Sequence, residues 1–175
     1  MRLIEIINRN NPKIKFLKQL QQKKYRDQFE KFSVENTVLI CDALESEFFF
    51  ESLFITENFI KRNKKKFDFI LEHTNAKEYY LISEKINKSF SNLDTAPGIC
   101  AIYHKKRKEL DFTTPLIYLN GINNPGNLGT ILRSALAFDL ENIIIDEKCA
   151  DVYNSKTIGA AKDAIFKLNI VSDKS

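Results

Sequence analysis

A chain of 175 residues, 43% of them hydrophobic and 14 of them Phe, carries enough apolar side chain for one comfortable domain or two small ones, which excludes an intrinsically disordered protein. No stretch approaches the roughly 18 consecutive apolar residues of a membrane span, and Met1 to Asn10 lacks the features of a secretory signal, so a cytoplasmic protein without membrane contact is expected. The net charge of +4 is modest but unevenly laid: residues 1 to 28 hold eight basic side chains against Glu5 and Asp27, a balance of +6 that makes a polyanionic partner worth testing.

In chain order, the first clear element is "NNPKIKFLKQLQQKKYRDQFEKF". Asn11 is a natural N-cap, Pro12 takes the first helical position, and Ile14, Leu17 and Leu20 recur at helical spacing, which predicts an amphipathic helix with a basic outer face. A short strand follows at Phe32 to Glu35, a cap at Asn36-Thr37, a helix from Val38 to Ser46 and a strand at 52–56. The basic run Lys61-Arg62-Asn63-Lys64-Lys65-Lys66 reads as a surface helix or loop and "KFDFILEHTN" as a helix. Then come the strand "EYYLIS", the capped helix "SEKINKSF", the turn "DTAPG" and the strand "GICAIYH".

Strands alternating with helices over residues 10 to 104 predict an α/β layer structure, and the charged "KKRKELDFTT" reads as a linker. Two domains are therefore expected, 1–108 and 113–175. In the second, "LIYLNGI", "NIIID" and "AIFKLNIV" read as strands, with helices at Leu128 to Phe138 and Asn154 to Ala161 between them. Apolar strands joined by crossover helices predict a parallel sheet buried on both faces. Cys41, Cys100 and Cys149 are read as reduced and structural, and His73 and His104 have no partner at metal-ligand spacing, so no metal is expected.

The chemistry concentrates in "NGINNPGNLGT", between a strand end and a helix start, where parallel sheets bind ligands. Gly121, Gly126 and Gly129 relax the backbone, and the helix N-terminus offers N–H groups to an anion. A Walker loop would need Lys before Thr130, and a dinucleotide fingerprint would need one more glycine ahead of Gly126; neither spacing is met. A turn and helix cap rich in Asn and Gly would be the plain structural explanation. Against it stands Arg133, one turn beyond Gly129 in an otherwise apolar helix, where burial would call for an anionic partner such as phosphate.

"NNPGNLGTILRSALAFDLENIII" resembles the first motif of the SpoU (TrmH-like) RNA 2′-O-ribose methyltransferases of the SPOUT superfamily, with Pro125, Asn127, Gly129, Arg133, Ser134 and Ala135 in register. "DVYNSKTIGAAKDAIFKLNI" resembles the stretch that follows in that family, and "NPKIKFLKQLQQKKYRDQFEKFSVEN" and "DTAPGICAIY" are similar to its ribosomal-protein-like substrate-binding domain. The resemblance implies an α/β substrate-binding domain followed by the first part of a SPOUT α/β-knot catalytic domain with a parallel sheet. It implies methyl transfer from S-adenosylmethionine to a ribose 2′-hydroxyl of ribosomal or transfer RNA, usually by a homodimer. Asn127 and Arg133 then stand as the catalytic pair, and Lys13, Lys24, Arg26, Gly129 and Ser134 as candidate RNA contacts.

The resemblance also sets limits. The Gly-x-Glu loop and Asn/Ser-rich segment that hold the cofactor in that family are not found after Val171, and Ala161 and Asp163 depart from its usual pattern. The expectation is an incomplete or inactive methyltransferase, with an open sheet edge and an uncovered apolar face in a poorly stable 113–175 segment. The alternatives are a non-catalytic RNA-binding protein that retains the substrate-binding domain, or a subunit whose knot is completed by another chain.

Overall fold

The computed structural model describes residues 2–76, 78–106 and 110–173. Arg107 and Lys108 of the basic linker lie outside the described residues. The chain divides into two compact units, 1–105 and 106–175. Among the described residues no helix is long and apolar enough to cross a membrane.

The first unit runs β1 (Arg2–Ile6), α1 (Pro12–Gln19), α2 (Lys23–Phe29), β2 (Lys31–Val34), α3 (Thr37–Glu45), β3 (Ser52–Ile55), α4 (Glu57–Arg62), α5 (Lys64–His73), β4 (Glu78–Ile82), α6 (Glu84–Phe90) and β5 (Ile99–His104). Its five strands pair in the order β1-β4-β3-β5-β2, with β1, β4 and β3 mutually parallel and β5 antiparallel to both β3 and β2. Every residue of β3 is buried, as a central strand covered on both faces requires.

Adjacent residues on β4 show which helices cover which face. Side chains on a strand alternate between faces. Tyr80 points to α1, where the Lys13 ammonium lies 5.5 Å from its ring centroid, while Tyr79 hydrogen-bonds Thr74 at the end of α5. So α1 and α5 cover opposite faces of the sheet. On the α1 side, Ile14, Leu17 and Leu20 pack in one core with Phe54, Ile82, Ile86 and Phe90. On the other, Phe32, Phe48 and Phe50 ring Tyr103, with centroids 5.5, 5.5 and 6.2 Å from its own.

The second unit runs β6 (Leu116–Leu119), α7 (Pro125–Ala137), β7 (Asn142–Ile145), α8 (Ser155–Ala161), α9 (Ala164–Lys167) and β8 (Asn169–Ser172). Its three strands are parallel, in the order β6-β7-β8. Asn142 ties the start of this sheet together, donating to the Thr114 hydroxyl and accepting from the Asn169 amide at 2.8 Å.

Several sequence expectations are corrected. The opening decapeptide holds a strand, β1, whose five-residue alternation is too short and too exposed at Leu3 to stand out from a loop. The long first helix is two helices broken at Leu20 to Gln22, because Arg26 folds inward and its Nη1 donates to the Leu20 carbonyl at 2.7 Å. "AIFKLNIV" is a helical turn, α9, followed by the strand β8. The parallel sheet is not buried on both faces: Leu116 and Tyr118 on β6 are 37% and 49% exposed.

Candidate functional site

β6 delivers the chain into a loop that the turn after β7 clamps from the neighbouring strand. Leu119 and Ile145 are register partners, so Asp146 stands beside the residues that leave β6. Gly121 adopts a positive φ of 67° and donates its N–H to both Asp146 carboxylate oxygens at 3.1 Å. Only glycine takes this conformation without strain. Ile122 N–H donates to the Cys149 sulfur at 3.3 Å, the Cys149 thiol donates to the Leu119 carbonyl at 3.3 Å, and Ala150 N–H donates to the Ile122 carbonyl at 2.8 Å. The Gly121 N–H above all, with help from Cys149 and Lys148, holds the Asp146 carboxyl below the usual carboxylate range. Asp146 and Cys149 did not emerge as site residues from the sequence. The usable signal was the acidic residue closing "NIIID", beside the strand end across the sheet.

The loop ends at Asn124, which caps α7: its Oδ1 accepts from Gly126 N–H at 2.8 Å and from Asn127 N–H at 3.1 Å. Pro125 fills the first helical position, where a missing N–H costs nothing. Between loop and helix lies a cleft of about 410 Å³ lined by Gly121 to Asn124, Asn127, Thr130 and Ile131. Its walls present amide side chains, one hydroxyl and two aliphatic side chains, while the N–H groups of Gly121, Ile122 and Asn127 are taken by Asp146, Cys149 and Asn124. This surface suits a polar, hydroxylated ligand better than an apolar one.

Of the candidate residues in this segment, Asn127 lines the cleft and Arg133 does not. Arg133 is exposed, as are Thr130 and Ser134. Spaced i, i+3 and i+4, these three form one strip on the solvent face of α7 that climbs from the cleft rim. The burial that would have forced a phosphate onto Arg133 is therefore absent, and the side chain stands ready in solvent instead. Gly129 faces the other way: it is buried against α8, and a Cβ placed on it would lie 2.5 Å from the Thr157 carbonyl oxygen and 2.6 Å from Ala160 Cβ. Its role is close helix packing, so its place among RNA contacts is corrected.

In the first unit Lys13 is exposed but engaged with the Tyr80 ring, and Lys24 is exposed with its ammonium 5.8 Å from the Tyr25 centroid. Arg26 is only 5% exposed and serves the α1–α2 turn, which removes it from any outer RNA-binding face. The S-adenosylmethionine implied by the resemblance needs an apolar slot for adenine and oxygen atoms for a sulfonium. The cleft offers only Ile122 and Ile131 as apolar wall, and Asp146 is already committed to three backbone N–H groups. The residues that line this cleft do not by themselves fit that cofactor.

Comparison with known proteins gives this geometry a family. Residues 11–101 match the MRM3-like substrate binding domain and residues 114–175 match the SpoU rRNA Methylase family. The chain is 26% identical over 167 residues to the Bacillus subtilis 23S rRNA (guanosine(2553)-2'-O)-methyltransferase RlmP, covering 95% of this chain and 64% of that protein. It is 29% identical over 170 residues to the mouse mitochondrial rRNA methyltransferase 3, covering 88% of this chain and 38% of that protein. The chain thus spans less than two thirds of either relative. Among solved structures, an RNA 2'-O ribose methyltransferase superposes with a TM-score of 0.77 at 25% identity, over 97% of this chain and 66% of that one. An rRNA methyltransferase from Sinorhizobium meliloti superposes with a TM-score of 0.81 at 23% identity, over 99% of this chain and 66% of that one, and shares the fold. The chain belongs to the SpoU family of RNA methyltransferases, with an MRM3-like substrate binding domain ahead of its SpoU segment.

Proposed function

We propose that this chain serves 2′-O-ribose methylation of ribosomal RNA, its first unit binding the RNA and its cleft receiving the ribose–phosphate at the target nucleotide. The observation that carries this reading is the cleft itself: Asn127 lies on a capped helix N-terminus at the carboxyl end of β6, with the Thr130, Arg133 and Ser134 strip rising from its rim. Asn127 offers an amide to a ribose hydroxyl or phosphate oxygen. Arg133 offers a planar guanidinium to phosphate.

Arg133 is not the base that removes the 2′-hydroxyl proton, since a guanidinium presents only N–H donors and no acceptor. Its contribution is electrostatic: it binds phosphate and lowers the cost of the negative charge that develops on the attacking oxygen. Bidentate phosphate recognition predicts that Arg133→Lys loses most of the effect, although charge is kept. Full activity of that variant in an active assembly would exclude the planar contact.

A second reading, RNA binding without methyl transfer, is favoured by one observation. The described cleft is lined by residues 121 to 131 alone, one wall rather than an enclosure. Calorimetric titration of the purified chain with S-adenosylmethionine separates the two. Saturable binding supports the methyltransferase reading for this chain, whereas binding of rRNA without any cofactor heat supports the second.

A further inference from the structure

The longest run of exposed cations in the first unit lies away from the first helix. Lys61 and Arg62 close α4, and Lys64, Lys65 and Lys66 open α5, all five exposed. Among the described residues, Lys61 alone of these is ion-paired, to Glu57 at 3.4 Å. The acids on the same helices, Glu57, Asp68 and Glu72, flank the run and do not interrupt it.

The placement opposes local helix energetics. A helix N-terminus carries partial positive charge, so acidic residues stabilise the first turn and cations oppose it. The first turn of α5 holds three lysines and no acid, and its N-cap residue Asn63 makes no side-chain cap bond because its amide donates back to Phe59. Asn11, Asn36, Thr56, Ser83, Asn124 and Asn154 cap their helices through a side-chain oxygen, whereas Gln22 and Asp163 ahead of α2 and α9 do not, and α2 shares with α5 a first turn of lysines, Lys23 and Lys24, without an acid. Local conflict of this kind marks positions kept for a contact outside the fold. An anion is what would relieve it, since a phosphate set among these ammonium groups neutralises them and complements the helix end together.

The second observation is the side of the sheet. Because α1 and α5 cover opposite faces, the cations of the first two helices, Lys18, Lys23 and Lys24 among them, and those of the α4–α5 junction cannot follow one strand of backbone on one face.

Building on the proposed RNA-binding role, we propose that the α4–α5 junction is a second RNA-backbone surface, so that the first unit is held by two RNA segments, one on each side of its sheet. The partner it fits is a folded RNA with two neighbouring backbone segments, such as a stem-loop with single-stranded arms. Contacts of this kind position the protein without reading sequence.

The test uses the full chain and a fluorescein-labelled RNA stem-loop with single-stranded arms. Affinity is measured across salt concentrations for the wild type, for R62Q/K64Q/K65Q/K66Q, and for K18Q/K23Q/K24Q on the opposite face. Each phosphate contact removed lowers the slope of log K against log salt by roughly 0.7 to 0.9. With one phosphate met by each of its four cations, the junction variant is expected to lose roughly 2.8 to 3.6 from the slope, and the two sets of substitutions to act independently. Acetylation of lysines in the wild-type chain, read by mass spectrometry with and without RNA, gives a measure that does not depend on how the variants fold. Lys64, Lys65 and Lys66 are expected to be protected together with Lys18, Lys23 and Lys24. RNA binding with an unchanged slope and unprotected junction lysines overturns the second surface while leaving the RNA-binding role intact, and is the outcome expected if these cations meet an acidic protein instead. No RNA binding by the wild type overturns both.

Discussion

Replacing Gly129 by alanine tests the helix packing behind the cleft. In an exposed helix the change from Gly to Ala would stabilise by about 1 kcal/mol. Here the added Cβ would meet the Thr157 carbonyl oxygen at 2.5 Å, Ala160 Cβ at 2.6 Å and Ala161 N at 2.8 Å. Two of these atoms are backbone and cannot rotate away, so α8 must retreat from α7 by roughly 1 Å to restore ordinary contact. Overpacking costs about 1 to 3 kcal/mol, and contacts with backbone atoms at 2.5 and 2.8 Å put this site in the upper part of that range, about 2 to 3 kcal/mol, so that with the helix preference subtracted a net loss of about 1 to 2 kcal/mol remains. Amide hydrogen exchange resolved to α7 and α8 is the suitable assay, because it reports local opening without requiring both units to unfold together. Protection in these helices should fall by a factor of about 5 to 30. Gly159→Ala, on α8, is the internal control: its Cβ meets nothing within 4 Å, so the same change should raise protection. Equal or greater protection in Gly129→Ala would refute the packing argument.

Arg26→Gln should lower the unfolding midpoint of the first unit, the buried bond to the Leu20 carbonyl being worth about 1 to 3 kcal/mol, while the salt dependence of RNA binding stays as in the wild type; a changed slope would return Arg26 to the RNA face. Asn124→Ala should destabilise the start of α7 by about 1 kcal/mol and Asn124→Ser should recover most of it, as followed by exchange at Gly126 and Asn127. Burial raises the Glu35 carboxyl above its usual value of 4.5, against hydrogen bonds from the Ser91 hydroxyl and the Asn92 N–H. For a group raised on folding, the stabilising contribution is complete below the unfolded value and is lost as pH rises through the folded one. Urea midpoints of the wild type should therefore decline relative to Glu35→Gln as pH rises through that window, and a constant difference between the two would contradict the burial argument.

Legibility in the sequence followed signal strength. Helix starts were readable where a side-chain cap and a fixed φ coincide, as at Asn11-Pro12 and Asn124-Pro125, because cap chemistry is local. β1 and α9 were not readable as such. A five-residue edge strand is defined by its pairing with Glu78 to Ile82, and a four-residue helical turn has no room for periodicity. The cleft loop was located by its glycines and its position after an apolar strand, but its clamp depends on Asp146, 25 residues on from Gly121, and only the parallel register brings the two together. Arg26 and Gly129 were misassigned for a common reason. Composition identifies a cation or a glycine, and only packing tells whether it faces solvent or a neighbouring helix.

The same distinction sets what Asn127 and Arg133 can do together. Six residues apart on a helix, they are separated by about 9 Å along the axis and by roughly a third of a turn around it. They cannot both hold one oxygen atom, and the geometry has Asn127 inside the cleft and Arg133 on the outer strip with Thr130 and Ser134. A ribose–phosphate unit is an extended ligand whose hydroxyl and phosphate oxygens lie several bonds apart, so it can meet both groups where a free phosphate could meet one. On the proposed function, the pair is therefore matched to the length of a nucleotide backbone rather than to a single anion. That reading asks of Arg133 solvent exposure and a long side chain, and the residue is exposed, not buried as its apolar neighbours in the sequence suggested.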